Sequence, residues 1–190
     1  MNQGRQRQIL EYMRERQDDM VTMLGYLVNM DSPSTDKECL DAICEAIGHL
    51  WKDTGTKVEV IRQESYGNHL RAEWGQGSEQ ILMLCHMDTV WGKGEAAKRP
   101  FKVEGGKAYG PGAYDMKAGI VEALFAVRCL KDLEMNPPGK TVILHNSDEE
   151  IGSPSSRGII EEEAKKSKAV LVLEPSADAG AIKTWRKGVG

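Results

Sequence analysis

The chain has 190 residues and a formal net charge of −4, and hydrophobic and charged residues make up 40% and 28% of it. This balance is ordinary for a single globular domain and excludes wholesale disorder. The acidic balance provides no basic face for a nucleic acid, and apolar runs such as the one at 81–85 are too short to span a membrane.

The N-terminal segment and the cysteines indicate a cellular compartment. Positions 1–12 are polar and lack the apolar core of a signal peptide. The cysteines form no C-x-x-C pair and lie within predicted helices and a strand, which favours buried thiols over a disulfide framework or a zinc knuckle. They are Cys39, Cys44, Cys85 and Cys129. We therefore expect a cytoplasmic protein that binds neither nucleic acid nor membrane.

Two helices are predicted in the first third of the chain. Methionine, leucine and valine side chains recur at helical spacing over 20–28, which predicts a first helix there. Thr35 and Glu38 have the spacing of a capping box, which predicts the start of a second helix. Apolar positions over 40–51 form one face of that helix, and it should end near Gly55.

The rest of the chain alternates between predicted strands and helices. Five apolar segments have the length of strands, at 58–61, 70–74, 80–85, 141–144 and 169–173. Two further helices are predicted at about 116–133 and 155–166. Positions 87–106 form a loop rich in glycine, lysine and proline. This alternation predicts an α/β fold, a three-layer sandwich around a mixed, largely parallel sheet.

Polar clusters follow directly on the three most apolar strands. His86 and Asp88 end the first of these strands, an acidic triplet at 148–150 follows the second, and Glu174 ends the third. Asp115 begins a helix after a glycine-rich segment that lets the backbone approach closely. Ligands of open α/β sheets bind at the carboxyl ends of parallel strands, so these side chains should converge.

Crowded carboxylates with one imidazole point to a divalent cation. Like charges cost free energy unless a cation compensates them, and a His–carboxylate set without cysteine suits zinc, cobalt or manganese. Asp88 should lie on the same side of the strand as His86 and orient its ring. Of Glu149 and Glu150, one carboxylate can bind metal while the other takes a proton. Taken singly, each motif is also a common capping or loop pattern.

The order of these motifs resembles the two-zinc exopeptidase family, which includes glutamate carboxypeptidases, aminoacylases, succinyl-diaminopimelate desuccinylase and peptidase T. The similarity runs from about Met23 to the last residue, and a Leu-Glu-Pro triplet is most similar to the glutamate carboxypeptidase branch. The fold implied is the zinc-exopeptidase catalytic domain. The matching motifs lie at 86–90, 110–119, 146–153 and 173–175.

The resemblance implies two metal ions, expected to be Zn²⁺, with Co²⁺ or Mn²⁺ as alternatives. His86, Asp115 and Glu174 would surround the first ion. Asp115 would also bridge to the second ion, which Glu150 binds. Family members have a further histidine ligand for the second ion, far downstream after a dimerisation or lid domain.

The resemblance also implies the reaction. Glu149 would be the general base and acid, Asp88 would orient His86, and the peptide bond between Asp115 and Met116 would be cis. The expected reaction is hydrolysis of an amide next to a free carboxylate by metal-activated water. Peptides or N-acyl amino acids would be the substrates, with release of a C-terminal glutamate as one option.

The far-downstream elements of the family have no counterpart in this sequence. We expect residues 1–182 to be the N-terminal portion of the catalytic domain, and 183–190 to begin the connection to an absent dimerisation or lid domain. The remaining histidines do not match the further ligand: His49 should lie at the surface, His69 should cap backbone, and His145 should pack or form a hydrogen bond.

This incompleteness predicts partial or no metal occupancy, little activity in the isolated chain, and self-association through an exposed sheet edge. A non-catalytic metal-binding or interaction protein is the main alternative, although such a protein has no need of Glu149 beside Glu150. A phosphate site at Gly110 and Gly112 is disfavoured because no P-loop lysine follows.

Overall fold

The computed structural model describes residues 3–177 and 180–183, so most of the predicted connection at 183–190 lies outside the described residues. The helices in this part of the chain are α1 (Gln3–Glu15), α2 (Gln17–Val28), α3 (Lys37–Asp53), α4 (Glu95–Lys98), α5 (Ala118–Asp132) and α6 (Arg157–Lys165). The strands are β1 (Lys57–Ile61), β2 (His69–Gly75), β3 (Gln80–His86), β4 (Lys102–Glu104), β5 (Lys107–Tyr109), β6 (Lys140–Asn146) and β7 (Ala169–Val172).

Five strands form one mixed sheet in the order β1-β2-β6-β3-β7. Strand β2 is antiparallel to both of its neighbours, whereas β3 is parallel to β6 and to β7. Four of the five strands therefore point in the same direction, which confirms the mixed, largely parallel sheet. Strands β6, β3 and β7 lie side by side and parallel, so their carboxyl ends meet at one edge.

Helices cover both faces of this sheet, which confirms the three-layer α/β sandwich. On one face, α3 and α5 pack on the sheet in a core that includes Trp51, Leu124 and Ile143. On the other face, α6 packs on a smaller group that includes Leu82 and Leu144. Side chains alternate between faces along a strand, so the even-numbered residues of β3 face α6.

Four elements, α1, α4, β4 and β5, are absent from the sequence prediction because they have no buried stripe. Helix α1 buries only Tyr12 among its described side chains. The predicted loop at 87–106 contains α4, and it also contains strand β4, which pairs with β5 in an exposed hairpin. Exposed elements carry little of the periodic apolar pattern from which sequence predictions are made.

Two predicted helix starts need correction. Asp36, not Thr35, is the N-cap of α3, because its side chain accepts the backbone N–H of Cys39 at 3.0 Å. Helix α5 starts at Ala118, because the preceding turn contains residues with non-helical backbone angles. The predicted cis peptide bond between Asp115 and Met116 is confirmed.

Strand β7 forms an edge of the sheet and is exposed. Its residues Val170, Leu171 and Val172 retain 40%, 46% and 55% of their accessible surface, which matches the expected exposed apolar edge. Among the described residues, no helix combines the length and the apolarity of a membrane span.

Candidate metal centre

His86 lies at the end of β3 with its side chain 2% exposed. Its Nδ1 atom is 2.9 Å from the backbone carbonyl oxygen of Asp88 and 3.4 Å from the Asp88 carboxylate. A carbonyl oxygen can only accept, so Nδ1 carries the hydrogen and Nε2 remains available to bind a cation. Asp88 therefore contacts His86 Nδ1 on the side predicted, and the shorter contact comes from its backbone rather than from its side chain.

Three carboxylates surround the Nε2 atom of His86. Asp115 Oδ1 lies 3.0 Å from Nε2, Glu174 Oε1 lies 3.4 Å from it, and Glu149 Oε2 lies 3.9 Å from it. These residues come from segments that are far apart in the sequence. The structure thus brings them together at the carboxyl ends of β3, β6 and β7, where the strand-end rule places them.

Two overlapping groups of donor atoms share this imidazole. His86, Glu149 and Glu174 form one group, and His86, Asp115 and Glu150 form the other, each with donor atoms within 4.8 Å of one another. The resemblance implies the same residues but groups Asp115 with Glu174 and leaves Glu149 outside. Glu149 thus belongs to one group of candidate cation donors, although it lies farther from His86 Nε2 than Asp115 and Glu174 do.

Glycines allow two of these segments to approach the centre. Gly112 has a φ of +68°, and a Cβ atom there would lie 2.5 Å from the side chain of Thr89. Gly119, in the first turn of α5, packs so closely on the chain at Leu173 that a Cβ atom would overlap its carbonyl oxygen. This contact holds the start of α5 against the segment that carries Glu174.

Glu149 and Glu150 lie on a single 3₁₀ turn directly after β6. Their backbone N–H groups donate to the Asp88 carboxylate at 3.2 and 3.1 Å. The hydroxyl of Ser34 donates to the same carboxylate at 2.7 Å. Ser34 is absent from the sequence-predicted site because a single serine in a loop carries no signal of its role.

Asp148 belongs to the predicted acidic triplet but not to either group of candidate ligands. Its carboxylate is buried and accepts hydrogen bonds from the backbone N–H and the hydroxyl of both Ser155 and Ser156, over 2.6–3.1 Å. These bonds close the loop between β6 and α6. Asp148 therefore holds the turn that carries Glu149 and Glu150.

Charge crowding shifts the pKa values at the centre. Burial lowers the pKa of His86, but hydrogen bonds and attraction from Asp88 and Glu174 outweigh it and raise this pKa to about 11. Burial raises the pKa of Glu149, and neighbouring carboxylates add to this rise against the attraction of His86. The pKa of Glu150 is raised by burial in the same way. The centre therefore favours added positive charge.

The other histidines lie outside both groups of candidate ligands. His49 is exposed. His69 is buried, and its Nδ1 accepts the backbone N–H of Ser147 at 3.2 Å, in line with the predicted backbone capping. His145 is buried and its Nε2 accepts the indole N–H of Trp51 at 2.7 Å, in line with the predicted packing or hydrogen bond.

Two cavities flank the centre. One has a volume of about 220 Å³ and is lined by His86, Glu149, Glu174 and apolar side chains. The other, of about 300 Å³, is lined by Asp115, Glu150 and the exposed side chains Val90, Trp91 and Tyr114. The acidic groups therefore border open space that can admit an ion and a small molecule.

The donor set fits a divalent cation of the zinc, cobalt or manganese type. It offers one imidazole nitrogen, whose tautomer is fixed by Asp88, and several carboxylate oxygens within coordinating range of one another. Zinc sites in proteins combine these donors, and the partner that fixes the imidazole tautomer is a common outer contact of a metal-bound histidine.

Comparison with known proteins gives consistent matches. Residues 82–185 match the model of peptidase family M20/M25/M40. The chain is 36% identical to carboxypeptidase G2 of Pseudomonas sp. (strain RS-16) over 180 residues, which is 92% of this chain and 43% of that protein. It is 31% identical to succinyl-diaminopimelate desuccinylase of Anaplasma marginale (strain Florida) over 143 residues, 71% of this chain and 35% of that protein.

Solved structures show the same fold at low sequence identity. Human carnosine dipeptidase 1 aligns with a TM-score of 0.77 and 19% identity, over 90% of this chain and 41% of that one. The metallo-carboxypeptidase Sso-CP2 of Sulfolobus solfataricus aligns with a TM-score of 0.71 and 22% identity, over 85% of this chain and 38% of that one. The chain thus spans less than half the length of each of these four relatives.

Proposed function

The chain belongs to peptidase family M20/M25/M40, and from this premise we propose that it carries cation-binding and proton-transferring residues of an amide hydrolase. The single observation that supports this most is that carboxylate oxygens of Asp115, Glu174 and Glu149 all lie within 3.9 Å of the Nε2 atom of His86. In the predicted non-catalytic alternative, Glu149 would serve only as a further cation ligand, and the match to a peptidase family favours the hydrolase.

His86, Asp115 and Glu174 would hold one divalent cation, with Zn²⁺ as the first choice. Asp115 and Glu150 would contribute to a second. When bound, such cations polarise a scissile carbonyl and lower the pKa of water, so that water attacks at neutral pH. The backbone of Asp88 fixes the His86 tautomer, which keeps Nε2 directed at the carboxylates.

Glu149 is the proposed general base. Its pKa is raised by burial and by neighbouring carboxylates, so it accepts a proton from the attacking water more readily than an ordinary glutamate does. The same carboxyl group then donates this proton to the leaving amine. Glu149 is 48% exposed at its side chain, which leaves it accessible to water and substrate.

The proposed substrates are peptides or N-acyl amino acids whose scissile amide lies next to a free carboxylate. The similarity to carboxypeptidase G2 and to succinyl-diaminopimelate desuccinylase supports this class, since the names of both describe hydrolysis of amides in carboxylate-bearing molecules. Because the Leu-Glu-Pro triplet at 173–175 is most similar to the glutamate carboxypeptidase branch, compounds with a C-terminal glutamate are the first substrates to test.

The two cation positions are not equally complete in this chain. Catalytic zinc usually has three protein ligands. His86 is shared by both groups of candidate ligands, so if it binds the first cation, the proposed second position keeps only Asp115 and Glu150 among the described residues. We propose that residues 1–182 form the N-terminal portion of a catalytic domain. Little hydrolysis is expected from this chain alone.

Two further parts of the proposal concern the cellular setting. All four cysteines are free thiols, which supports a reducing compartment such as the cytoplasm. The exposed apolar edge strand β7 supports self-association, because its unpaired backbone can pair with another chain. Analytical ultracentrifugation at several protein concentrations tests the second point: a single monomeric species at all of them contradicts it.

Titration calorimetry with Zn²⁺ tests the metal centre. We expect about one zinc ion per chain, since one position has three ligands and the other has two. The His86→Ala variant should lose this binding, whereas His49→Ala, which removes an exposed histidine, should retain it. Absence of zinc binding in the unmodified chain, or equal binding by the two variants, contradicts the proposal.

A further inference from the structure

The Asp88 carboxylate connects the imidazole to the turn that carries both glutamates. It is fully buried, lies 3.4 Å from His86 Nδ1, and accepts the backbone N–H groups of Glu149 and Glu150. The position of the Asp88 carboxylate therefore affects three groups together: the proposed metal ligand His86, the proposed base Glu149 and the proposed ligand Glu150.

Ser34 provides the remaining hydrogen bond to this carboxylate. Its hydroxyl donates to Asp88 Oδ2 at 2.7 Å, and the residue is 8% exposed. Within the described part of the chain, it is the one side chain whose hydroxyl donates to Asp88. Ser34 lies outside residues 82–185, the segment that matches the family model.

The loop that contains Ser34 is held in place by backbone contacts of its own. Thr89 donates its backbone N–H to the carbonyl oxygen of Ser32 at 2.8 Å, and Pro33 forms an isolated parallel bridge with Thr89. The loop therefore has an attachment next to Asp88 that does not need the Ser34 hydroxyl. Removal of this hydroxyl should leave the loop docked.

We propose that Ser34 is a positioning residue that acts through Asp88 on His86 and on the turn carrying Glu149 and Glu150. Without the hydroxyl, Asp88 Oδ2 loses its shortest hydrogen bond and keeps the longer one from the Glu150 N–H, so the carboxylate is held less firmly and rotates. Its contacts with His86 and with the two backbone N–H groups then change together. The consequence for metal binding rests on the proposed function; the consequence for the turn does not.

Ser32 offers a matched control two residues away in the same loop. It is 1% exposed, and its hydroxyl has no hydrogen-bond partner in the described structure. Ser32→Ala and Ser34→Ala each delete one buried hydroxyl from this loop, but only Ser34→Ala removes a bond to Asp88. Ser32→Ala therefore controls for the loss of a buried hydroxyl from this loop without the loss of a hydrogen bond.

The experiment combines hydrogen exchange of the cation-free chain with zinc calorimetry. In Ser34→Ala, we expect exchange at the amides of Glu149 and Glu150 to accelerate about tenfold, because both donate to Asp88. Zinc affinity should fall by up to about tenfold, the low end of the range typical for loss of an outer partner of a metal ligand, because Asp88 is displaced rather than removed. Ser32→Ala should change neither quantity.

Two further variants separate the hydroxyl from the shape of the side chain. Ser34→Thr keeps the hydroxyl and Ser34→Val has the same shape without it, so Thr should retain exchange rates and zinc affinity closer to those of the unmodified chain. Equal behaviour of the Thr and Val variants overturns the proposal.

The two readouts also separate this proposal from the proposed function. If the unmodified chain binds no zinc, the metal centre fails, and exchange at Glu149 and Glu150 still decides the role of Ser34. Exchange that is no faster in Ser34→Ala than in Ser32→Ala overturns the proposal. Faster exchange with unchanged zinc affinity overturns the part that concerns His86.

Discussion

The candidate metal centre has a buried framework and an open rim, and the two differ in what surrounds their charges. In the framework, Asp88 and Asp148 are fully buried and accept hydrogen bonds from backbone N–H groups and serine hydroxyls. At the rim, the side chains of Asp115 and Glu149 are 56% and 48% exposed and face each other across a histidine. Hydrogen-bond donors of the protein compensate the charges of Asp88 and Asp148, whereas the charges of Asp115 and Glu149 need a cation from solvent.

Because of this difference, substitutions at neighbouring residues should affect different properties of the chain. Substitution in the framework leaves buried N–H and O–H groups without a partner, so stability should fall. Substitution at the rim removes a charge that is repelled by its neighbours, so stability should change little while cation binding or proton transfer is lost. The predictions below test this contrast in order of decreasing expected effect on the free energy of unfolding.

The largest effect is expected from Asp148→Ala. Four hydrogen bonds from Ser155 and Ser156 end on this carboxylate, and two of their donors are backbone N–H groups. We expect the free energy of unfolding to fall by about 3 kcal/mol, as measured by urea denaturation. A loss no greater than that of Glu161→Ala, an exposed substitution in α6, contradicts the framework role.

Gly119→Ala should have the next largest effect. The added Cβ atom would overlap the carbonyl oxygen of Leu173, so the segment with Glu174 has to move, at a cost of about 2 kcal/mol. Zinc affinity should fall in parallel. Gly158→Ala is the matched control, because Gly158 is also the second residue of its helix and a Cβ atom there contacts nothing within 4 Å.

The Gly158→Ala control should stabilise the chain slightly, by about 0.5–1 kcal/mol, because alanine has the higher helix propensity. Equal effects of the two glycine substitutions would show that the close approach at Leu173 is not needed. Urea denaturation and zinc calorimetry of both variants provide the comparison.

The pH dependence of stability should show a smaller effect from His145. Burial lowers the pKa of this histidine to about 3, so the folded chain keeps it neutral while the unfolded chain takes up a proton below about pH 6.5. Its contribution is therefore complete above pH 6.5 and is lost as the pH falls towards 3. Between pH 7 and pH 5 the expected loss is about 1–2 kcal/mol.

Urea denaturation at these two pH values checks this prediction. His145→Phe removes the titrating group, so the difference in stability between pH 7 and pH 5 should shrink in this variant. His49→Gln, which removes an exposed histidine, should leave the difference unchanged. An unchanged difference in His145→Phe contradicts the assignment.

The smallest effect on stability is expected from Glu149→Gln, one residue away from Asp148. Its side chain is about half exposed and its carboxylate is repelled by Glu174 and Asp115, so the free energy of unfolding should change by less than about 0.5 kcal/mol. A loss as large as that of Asp148→Ala would remove the distinction between framework and rim.

The sequence predicts the rim better than the framework. His86 and Glu174 follow apolar strands, so the strand-end rule places them together, and Asp115 is marked by the glycine-rich turn before it. The hydrogen-bond donors to the buried carboxylates of the framework carry no such signal in the sequence. Ser34 lies in a loop, and its contact with Asp88 depends on how that loop docks, which no periodicity encodes.

The fold shows the same division. Buried periodic segments such as α3, α5 and β3 agree with the prediction to within a few residues, because their apolar faces repeat in the sequence. Exposed elements such as α1 and the β4–β5 hairpin are missed. The capping box predicts the start of α3 at Thr35, whereas the side chain of Asp36 caps the helix, a contact that the box pattern does not include.

The most direct test of the central claim is anomalous X-ray diffraction at the zinc edge from crystals of this chain grown with Zn²⁺. The account predicts an anomalous peak about 2.0–2.2 Å from His86 Nε2, with carboxylate oxygens of Asp115 or Glu174 at a similar distance. A peak found only at exposed residues such as His49, or no peak beside His86, would contradict the account.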